Sequence, residues 1–352
     1  MESLLMNARG IAEITSIEMH RLVHQIGNTP VEQIYFVIDG KVRKVHLKLE
    51  GANPAGSVKD RTGYALLQDL EHRNLLHKGS VVIESTSGNL GVAIAFICRT
   101  KGYPFLAIID PKTTQENLAK MQALGAMIEL VDQPDANGGY LLSRLARIQE
   151  LCQLSDKYVW TNQYSNAANP HIHYTSTAPE IYRQLNGEVD AVFAATSTGG
   201  TLAGIGRFFR EVSPSTQVIG VDARGSVIFG SPAGQRKLTG IGSSQCSSFI
   251  SKELYDTHLL VGDEEAFAFC HALYAVAGIK VGGSSGAVLA ACASYLQSHP
   301  ELENVVCVCA DSGENYLSSI FSDQWLQQHN ISLSQDHLQP VQDILHTVSR
   351  SW

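Results

Sequence analysis

The residues of this sequence that could do chemistry are one lysine beside a turn and three clusters of glycines and hydroxyls. Lys59 lies in the run Asn53-Pro54-Ala55-Gly56-Ser57-Val58-Lys59-Asp60-Arg61. Asn53-Pro54 biases the chain away from helix, Gly56 allows an unusual backbone angle, and Ser57 can cap a helix expected from Val58 to Leu70. A lysine in the first turn of that helix meets the positive end of the helix dipole. That favours its neutral amine, which attacks carbonyl carbon. Taken alone, the run also reads as a solvated Lys-Asp-Arg cluster on a helix face.

Two glycine-rich loops decide against that bland reading. Glu84-Ser85-Thr86-Ser87-Gly88-Asn89-Leu90-Gly91 falls between an expected strand and an expected helix, so its hydroxyls and amides lie at the carboxyl end of the strand, where they suit a carboxylate. A plain turn needs one glycine and one cap, fewer polar groups than this loop carries. Ala195-Thr196-Ser197-Thr198-Gly199-Gly200-Thr201 repeats the arrangement, and its paired glycines with flanking hydroxyls make an amide nest for phosphate. No Lys-Ser or Lys-Thr follows, as a Walker loop would require, and the spacing is not G-x-G-x-x-G, so a phosphate-bearing cofactor without a nucleotide fits better. Val281-Gly282-Gly283-Ser284-Ser285-Gly286-Ala287 has the same design, though alone it could be a tight turn.

The elements that must position these loops alternate. A hairpin is expected from Ile34–Ile38 and Lys44–Leu49 around Asp39-Gly40. Strand then helix follow at Val81–Glu84 and Leu90–Thr100, Phe105–Ile109 and Gln115–Leu124, and Ala126–Val131 and Tyr140–Leu151. A second series begins near Trp160 and ends on the strand Asn304–Cys309. β-Branched runs alternating with amphipathic helices indicate parallel sheets covered on both faces, and 352 residues exceed what one core usually holds. The tail after Trp325 is polar and expected to be loosely held.

A net charge of −8 without a basic run gives no footprint for nucleic acid or an anionic membrane. The apolar runs are strand-length and Met1-Glu2-Ser3 lacks the basic start of a signal peptide, so a cytoplasmic protein is expected. Seven cysteines without a C-x-x-C pair point to free thiols, with Cys307 and Cys309 packed inside a strand. His171-x-His173 lacks further ligands at matching spacing, so no metal is expected.

Together these motifs resemble fold-type II pyridoxal-phosphate enzymes of the cysteine synthase and cystathionine β-synthase family. The resemblance runs from about residue 25 to 320, through Ile26-Gly27-Asn28-Thr29-Pro30, the Lys59 run, Thr86–Gly91, Asn162-Gln163-Tyr164-Ser165-Asn166-Ala167-Ala168-Asn169-Pro170, Thr198–Thr201 and Gly282–Gly286. It implies two three-layer αβα domains with mostly parallel sheets, like the tryptophan synthase β chain. Residues 50–162 would form a smaller domain, 20–49 and 163–325 a larger cofactor-binding one, 1–19 an N-terminal arm and 326–352 the tail. It implies that Lys59 carries pyridoxal 5'-phosphate as a Schiff base and that Asn89 touches its phenolic oxygen. Ser197, Thr198, Gly199, Gly200 and Thr201 would hold its phosphate. Ser284 would face its pyridine nitrogen, and Thr86, Ser87 and Gln163 the substrate carboxylate. It also implies a homodimer. A serine at the ring nitrogen leaves a weak electron sink, suited to β-elimination and addition of a nucleophile to an aminoacrylate.

Departures from the sulfhydrylase pattern narrow the reaction. Gln163-Tyr164 stands where Gln-Phe is usual, Ser197 replaces a glycine, and Gly138-Gly139-Tyr140-Leu141-Leu142-Ser143-Arg144 adds a guanidinium. These segments look like the siderophore-pathway branch that joins O-phospho-L-serine to L-glutamate, giving N-(2-amino-2-carboxyethyl)-L-glutamate on the way to 2,3-diaminopropionate. Arg144 suits a phosphate leaving group or a second carboxylate, or is simply a solvated helix residue. The alternatives are a cysteine synthase using sulfide and a non-catalytic relative kept for partner binding. The intact Lys59 run and cofactor loops argue against the latter.

Overall fold

In the computed structural model, which describes residues 16–86, 88–135 and 139–347, the chain divides into two units. One takes the described residues up to Asn28 together with Ala52–Ile172. The other takes Thr29–Gly51 and the described chain from His173 onward. Ser87, Gly138, the first fifteen residues of the arm and the last five of the tail lie outside the described residues. The short helix α1 (Ser16–Val23) turns Met19, Leu22 and Val23 into the first unit's core. The hairpin β1 (Val31–Ile38) and β2 (Lys41–Leu49) closes through Asp39 and Gly40, both at positive φ, as the Asp-Gly pair predicts.

In the first unit α2 (Lys59–His72), β3 (Val81–Ser85), α3 (Asn89–Lys101), β4 (Phe105–Ile109), α4 (Gln115–Ala123), β5 (Met127–Leu130), α5 (Leu141–Leu154) and β6 (Tyr158–Trp160) alternate. The four strands form one parallel sheet in the order β5-β4-β3-β6. Side chains alternate across it. Val82, Ala107 and Ile109 pack with α2, α3 and α4, while Ile83, Leu106 and Ile108 pack with Ile148 and Leu151 of α5. Tyr158–Trp160 does not open the second series as the sequence suggests. It pairs with Val81–Ile83 as an edge strand of this sheet. The helix α6 (Ala168–Ile172) packs on α2, so residues 163–172 cluster with the first unit rather than with the chain that follows.

The second unit continues with α7 (Ala178–Gln184), β7 (Ala191–Ala195), α8 (Gly200–Val212), β8 (Gln217–Ala223), β9 (Thr257–Val261), α9 (Asp263–Ala277), α10 (Gly283–Ser298) and β10 (Asn304–Cys309). Its sheet, edged by the C-terminal strand β11 (Leu345–His346), runs β11-β1-β2-β10-β7-β8-β9, parallel from β2 to β9. Phe193, Val221 and Cys307 face α9 and α10, and Val192, Val218 and Val306 face α7 and α8. The fold is thus α/β with mostly parallel sheets and helices on both faces of each.

The edge strand β9 lacks an alternating pattern because most of it is half-buried, which hid it in the sequence. The tail corrects an expectation. After α11 (Asp323–Gln328), α12 (Gln335–Ile344) packs on α9, and β11 (Leu345–His346) pairs antiparallel with Tyr35 and Phe36. Leu326, Ile331 and Leu345 are buried in the main core, each contributing about 2 kcal/mol that a loose polar tail would forgo. Cys307 and Cys309 are buried as expected, and all seven cysteines are free thiols. Among the described residues no helix is long and apolar enough to cross a membrane.

Candidate active site

Lys59 is the first residue of α2 and is half-buried. The turn before it is built as its residues demand. Gly56 takes φ +91°, Asn53 Oδ1 accepts the Gly27 N–H at 2.8 Å, and the Asp60 carboxylate accepts the Ala55 N–H at 2.5 Å. The helix starts one residue later than the spacing suggests, with Val58 rather than Ser57 at the N-cap, and Ser57 Oγ accepts the Lys59 N–H at 3.2 Å from just outside it.

The first hydroxyl loop leaves the end of β3. Thr86 is buried, and its Oγ1 accepts the Gly91 N–H at 2.9 Å, which leaves the hydroxyl hydrogen for donation. Asn89 is the first residue of α3, half-buried. Beneath the loop lies Glu84, which has no solvent exposure and to which sequence reading assigned no role. Its Oε1 accepts the Ser85 N–H at 2.8 Å and Trp160 Nε1–H at 3.2 Å. Its Oε2 accepts the Thr161 hydroxyl at 2.5 Å and the Gln163 N–H at 3.1 Å. Burial pushes its carboxyl above the ordinary range even though these bonds pull it down. The signal was an acid at the end of the all-apolar run Val81-Val82-Ile83, where an unpaired charge is not tolerated.

Gln163 is thereby fixed against the loop. Its Nε2 donates to Ser85 O at 2.9 Å and its carbonyl accepts Asn169 Nδ2–H at 2.8 Å. Asn166 Nδ2 donates to Asp69 Oδ2 at 2.9 Å, tying the same segment to α2. The asparagine-rich motif is therefore a bracket joining the Gln163 segment, the Thr86 loop and the helix that begins with Lys59. Arg144, in the first turns of α5, is 7% exposed, which rules out the solvated reading. Its Nε lies 3.3 Å from Asp110 Oδ2, while Nη1 is buried without a hydrogen-bond partner among the described residues. Burial pushes the Tyr164 hydroxyl up to about 12 against the opposing pull of Arg144, so it stays a donor.

The second unit holds the other motifs. Ser197–Thr201 leaves the end of β7 and opens α8, with Gly199 at φ +90° as its N-cap residue. A Cβ there would stand 2.2 Å from Ser247 Oγ, the hydroxyl that donates to Thr198 O, so only glycine fits this cradle. The amides of the first turn of α8 and the flanking hydroxyls together offer a cluster of donors, which suits a phosphate dianion. Ser284 is the second residue of α10 and buried. The carboxylate of Asp311 lies against nearby Gly282, where a Cβ would meet its Oδ1 at 2.2 Å, and Tyr316 donates to its Oδ2 at 2.5 Å. Asp311 and its tyrosine are a second feature that motif reading missed.

Lys59, Thr86, Asn89, Gln163, Tyr164 and Arg144 thus belong to the first unit, and Ser197–Thr201 with Ser284 to the second. The profile of a family described as "Pyridoxal-phosphate dependent enzyme" matches residues 22–311. A solved hydrogen sulfide-producing enzyme from Fusobacterium nucleatum is 32% identical, with a TM-score of 0.79 over 84% of this chain and 99% of its own. An O-acetylserine dependent cystathionine beta-synthase from Helicobacter pylori is 30% identical, with a TM-score of 0.78 over 85% of this chain and 97% of its own. O-ureido-L-serine synthase is 28% identical, with a TM-score of 0.78 over 87% of this chain and 98% of its own.

Proposed function

Since the chain belongs to the family of pyridoxal-phosphate dependent enzymes, and to its cysteine synthase-like β-replacement branch, we propose that it joins O-phospho-L-serine to L-glutamate, giving N-(2-amino-2-carboxyethyl)-L-glutamate, a precursor of 2,3-diaminopropionate in siderophore synthesis. When bound, the cofactor supplies an electron-withdrawing ring conjugated to the substrate amine, which eases loss of the Cα proton. Lys59 is the residue that would hold it, and the Lys59 amine would take the Cα proton. Ser197, Thr198, Gly199, Gly200 and Thr201 would hold the cofactor phosphate, and Asn89 would donate to its phenolic oxygen. Ser284 would meet the ring nitrogen with a neutral hydroxyl.

Thr86, Ser87 and Gln163 orient the α-carboxylate of the donor. Arg144 presents a guanidinium to its leaving phosphate. The acceptor amine then adds at Cβ, with Ser197 and Tyr164 bonding its carboxylates. The setting is cytoplasmic and the assembly a homodimer.

The observation that supports a phosphorylated donor over O-acetylserine is the buried Arg144 with an unspent donor, since an uncharged leaving group needs no guanidinium. Likeness to an O-acetylserine dependent cystathionine beta-synthase favours an O-acetylserine donor, as in the second reading, cysteine synthesis from O-acetylserine or O-phosphoserine. Incubation with O-phosphoserine and either glutamate or sulfide, followed by mass analysis, separates them. A glutamate adduct is expected. Efficient cysteine formation with no adduct would establish the second reading instead.

A further inference from the structure

His173 was set aside as a metal ligand, and the reaction proposed above gives it no task. It is wholly buried at the start of a π-helical turn, His173–Thr177, between α6 and α7. Such turns break the regular ladder and recur at functional positions. Its Nδ1 lies 2.9 Å from Thr177 Oγ1, and its Nε2 lies 3.4 Å from Oγ1 of Thr201, the last residue of the phosphate loop.

Neighbouring Tyr174 holds the turn along α8. Its hydroxyl donates to Glu211 Oε2 at 2.6 Å, Arg207 lies over its ring at 4.5 Å, and the Phe208 ring packs edge-on at 6.3 Å. The turn therefore touches α8 from its first turn to its last.

We infer that His173 is a positioning residue that aims the Thr201 hydroxyl hydrogen at the cofactor phosphate, an inference that rests on the phosphate reading of residues 197–201. The direction follows from what a neutral imidazole between two hydroxyls can do, one nitrogen donating and the other accepting. If Thr201 donated to Nε2, it would turn only lone pairs toward a dianion. With Nε2–H donating to Thr201 and Nδ1 accepting from Thr177, every hydrogen in the chain points toward the phosphate. Each bond then strengthens the next, and the one to the charged group matters most.

The test uses apoenzyme and compares pyridoxal phosphate with pyridoxal, which lacks the phosphate, by equilibrium titration, together with the ³¹P resonance of the bound cofactor. His173→Gln keeps an amide donor at the Nε2 position, whereas His173→Asn places its amide at the Nδ1 position and abandons Thr201. His173→Asn should weaken pyridoxal phosphate about 10-fold and move the ³¹P resonance, leave pyridoxal unchanged, and be rescued to within about 3-fold by His173→Gln. Equal weakening of both ligands in the Asn variant would mean a merely structural role, and unchanged binding with an unmoved resonance would also overturn the inference. Thr201→Val separates the two levels. If it leaves pyridoxal phosphate affinity intact, the phosphate reading of the loop fails, whatever His173 does.

Discussion

Glu84 Oε2 accepts the backbone N–H of Gln163 at 3.1 Å, while Gln163 Nε2 returns a bond to Ser85 O at 2.9 Å. This reciprocal pair joins the ends of two neighbouring strands and sets the Thr86 loop against the Gln163 segment. Both surfaces proposed for the substrate carboxylate therefore hang on one buried acid.

Glu84→Ala leaves three N–H groups and one hydroxyl without their acceptor. At about 1–3 kcal/mol per stranded donor, partly relieved by relaxation, unfolding stability should fall by roughly 3 kcal/mol or more. KM for the amino-acid donor should also rise. Denaturant titration reads the first and initial rates the second. A variant of wild-type stability would refute the bracket. The pH dependence carries a sign. Because the folded carboxyl is raised above its ordinary 4.5, the folded state binds the proton first, and this group's contribution falls as pH rises from about 4.5 through the folded value. Glu84→Gln, which cannot titrate, should flatten that part of the stability profile.

Lys59→Ala should abolish the visible absorbance of the bound cofactor and leave no borohydride-reducible adduct on the protein. Peptide mapping of the reduced wild type should place the modification on Lys59. An adduct that survives the substitution would move the attachment site to another lysine.

The alternation of strands and helices was legible because each sheet is covered on both faces, which makes strand periods short and apolar and helix periods amphipathic. The loops were legible because glycine at φ +90° and clustered hydroxyls have few other uses. What stayed hidden depends on long-range partners. Tyr158–Trp160 reads as a strand in either unit until its pairing with Val81–Ile83 is seen. Leu345 looks like a stray apolar residue in a polar tail until it meets Phe36. Asp110 and Glu84 are ordinary acids in the sequence. Their burial, and their pairing with Arg144 and with the Gln163 segment, exist only in three dimensions.

Ser284→Asp would place a carboxylate two residues from the glycine against which Asp311 lies. A charge facing the ring nitrogen favours its protonation and a stronger electron sink, so side reactions such as transamination should appear while β-replacement slows. Product analysis by mass and the absorbance of the bound cofactor both report this. An unchanged product distribution and rate would remove Ser284 from the ring nitrogen.

Arg144 and Asp110 form a buried pair, and the two substitutions should act in opposite directions on an anionic donor. Arg144→Gln removes the guanidinium and should raise KM for O-phosphoserine about 10-fold or more, while O-acetylserine, with an uncharged leaving group, changes little. Asp110→Asn keeps the guanidinium and lifts its competitor, so O-phosphoserine should bind more tightly. Equal losses for both donors in the Arg144 variant would mean that the pair serves only the fold.

Tyr164→Phe tests the acceptor most gently, since it deletes one oxygen and restores an aromatic ring of the same shape. The hydroxyl is pushed up to about 12 by burial, so it remains a hydrogen donor up to and beyond its ordinary 10.0. Deleting it should therefore lower kcat/KM for glutamate about 10-fold at every pH below that limit without changing the shape of the pH profile. A site that bonds the acceptor's two carboxylates should also prefer glutamate to alanine by roughly 10⁴-fold in the wild type, because alanine leaves buried donors unmet. If alanine replaces glutamate freely, or if the Phe variant gains sulfide-dependent cysteine synthesis with no loss of glutamate use, the hydroxyl does not read the acceptor.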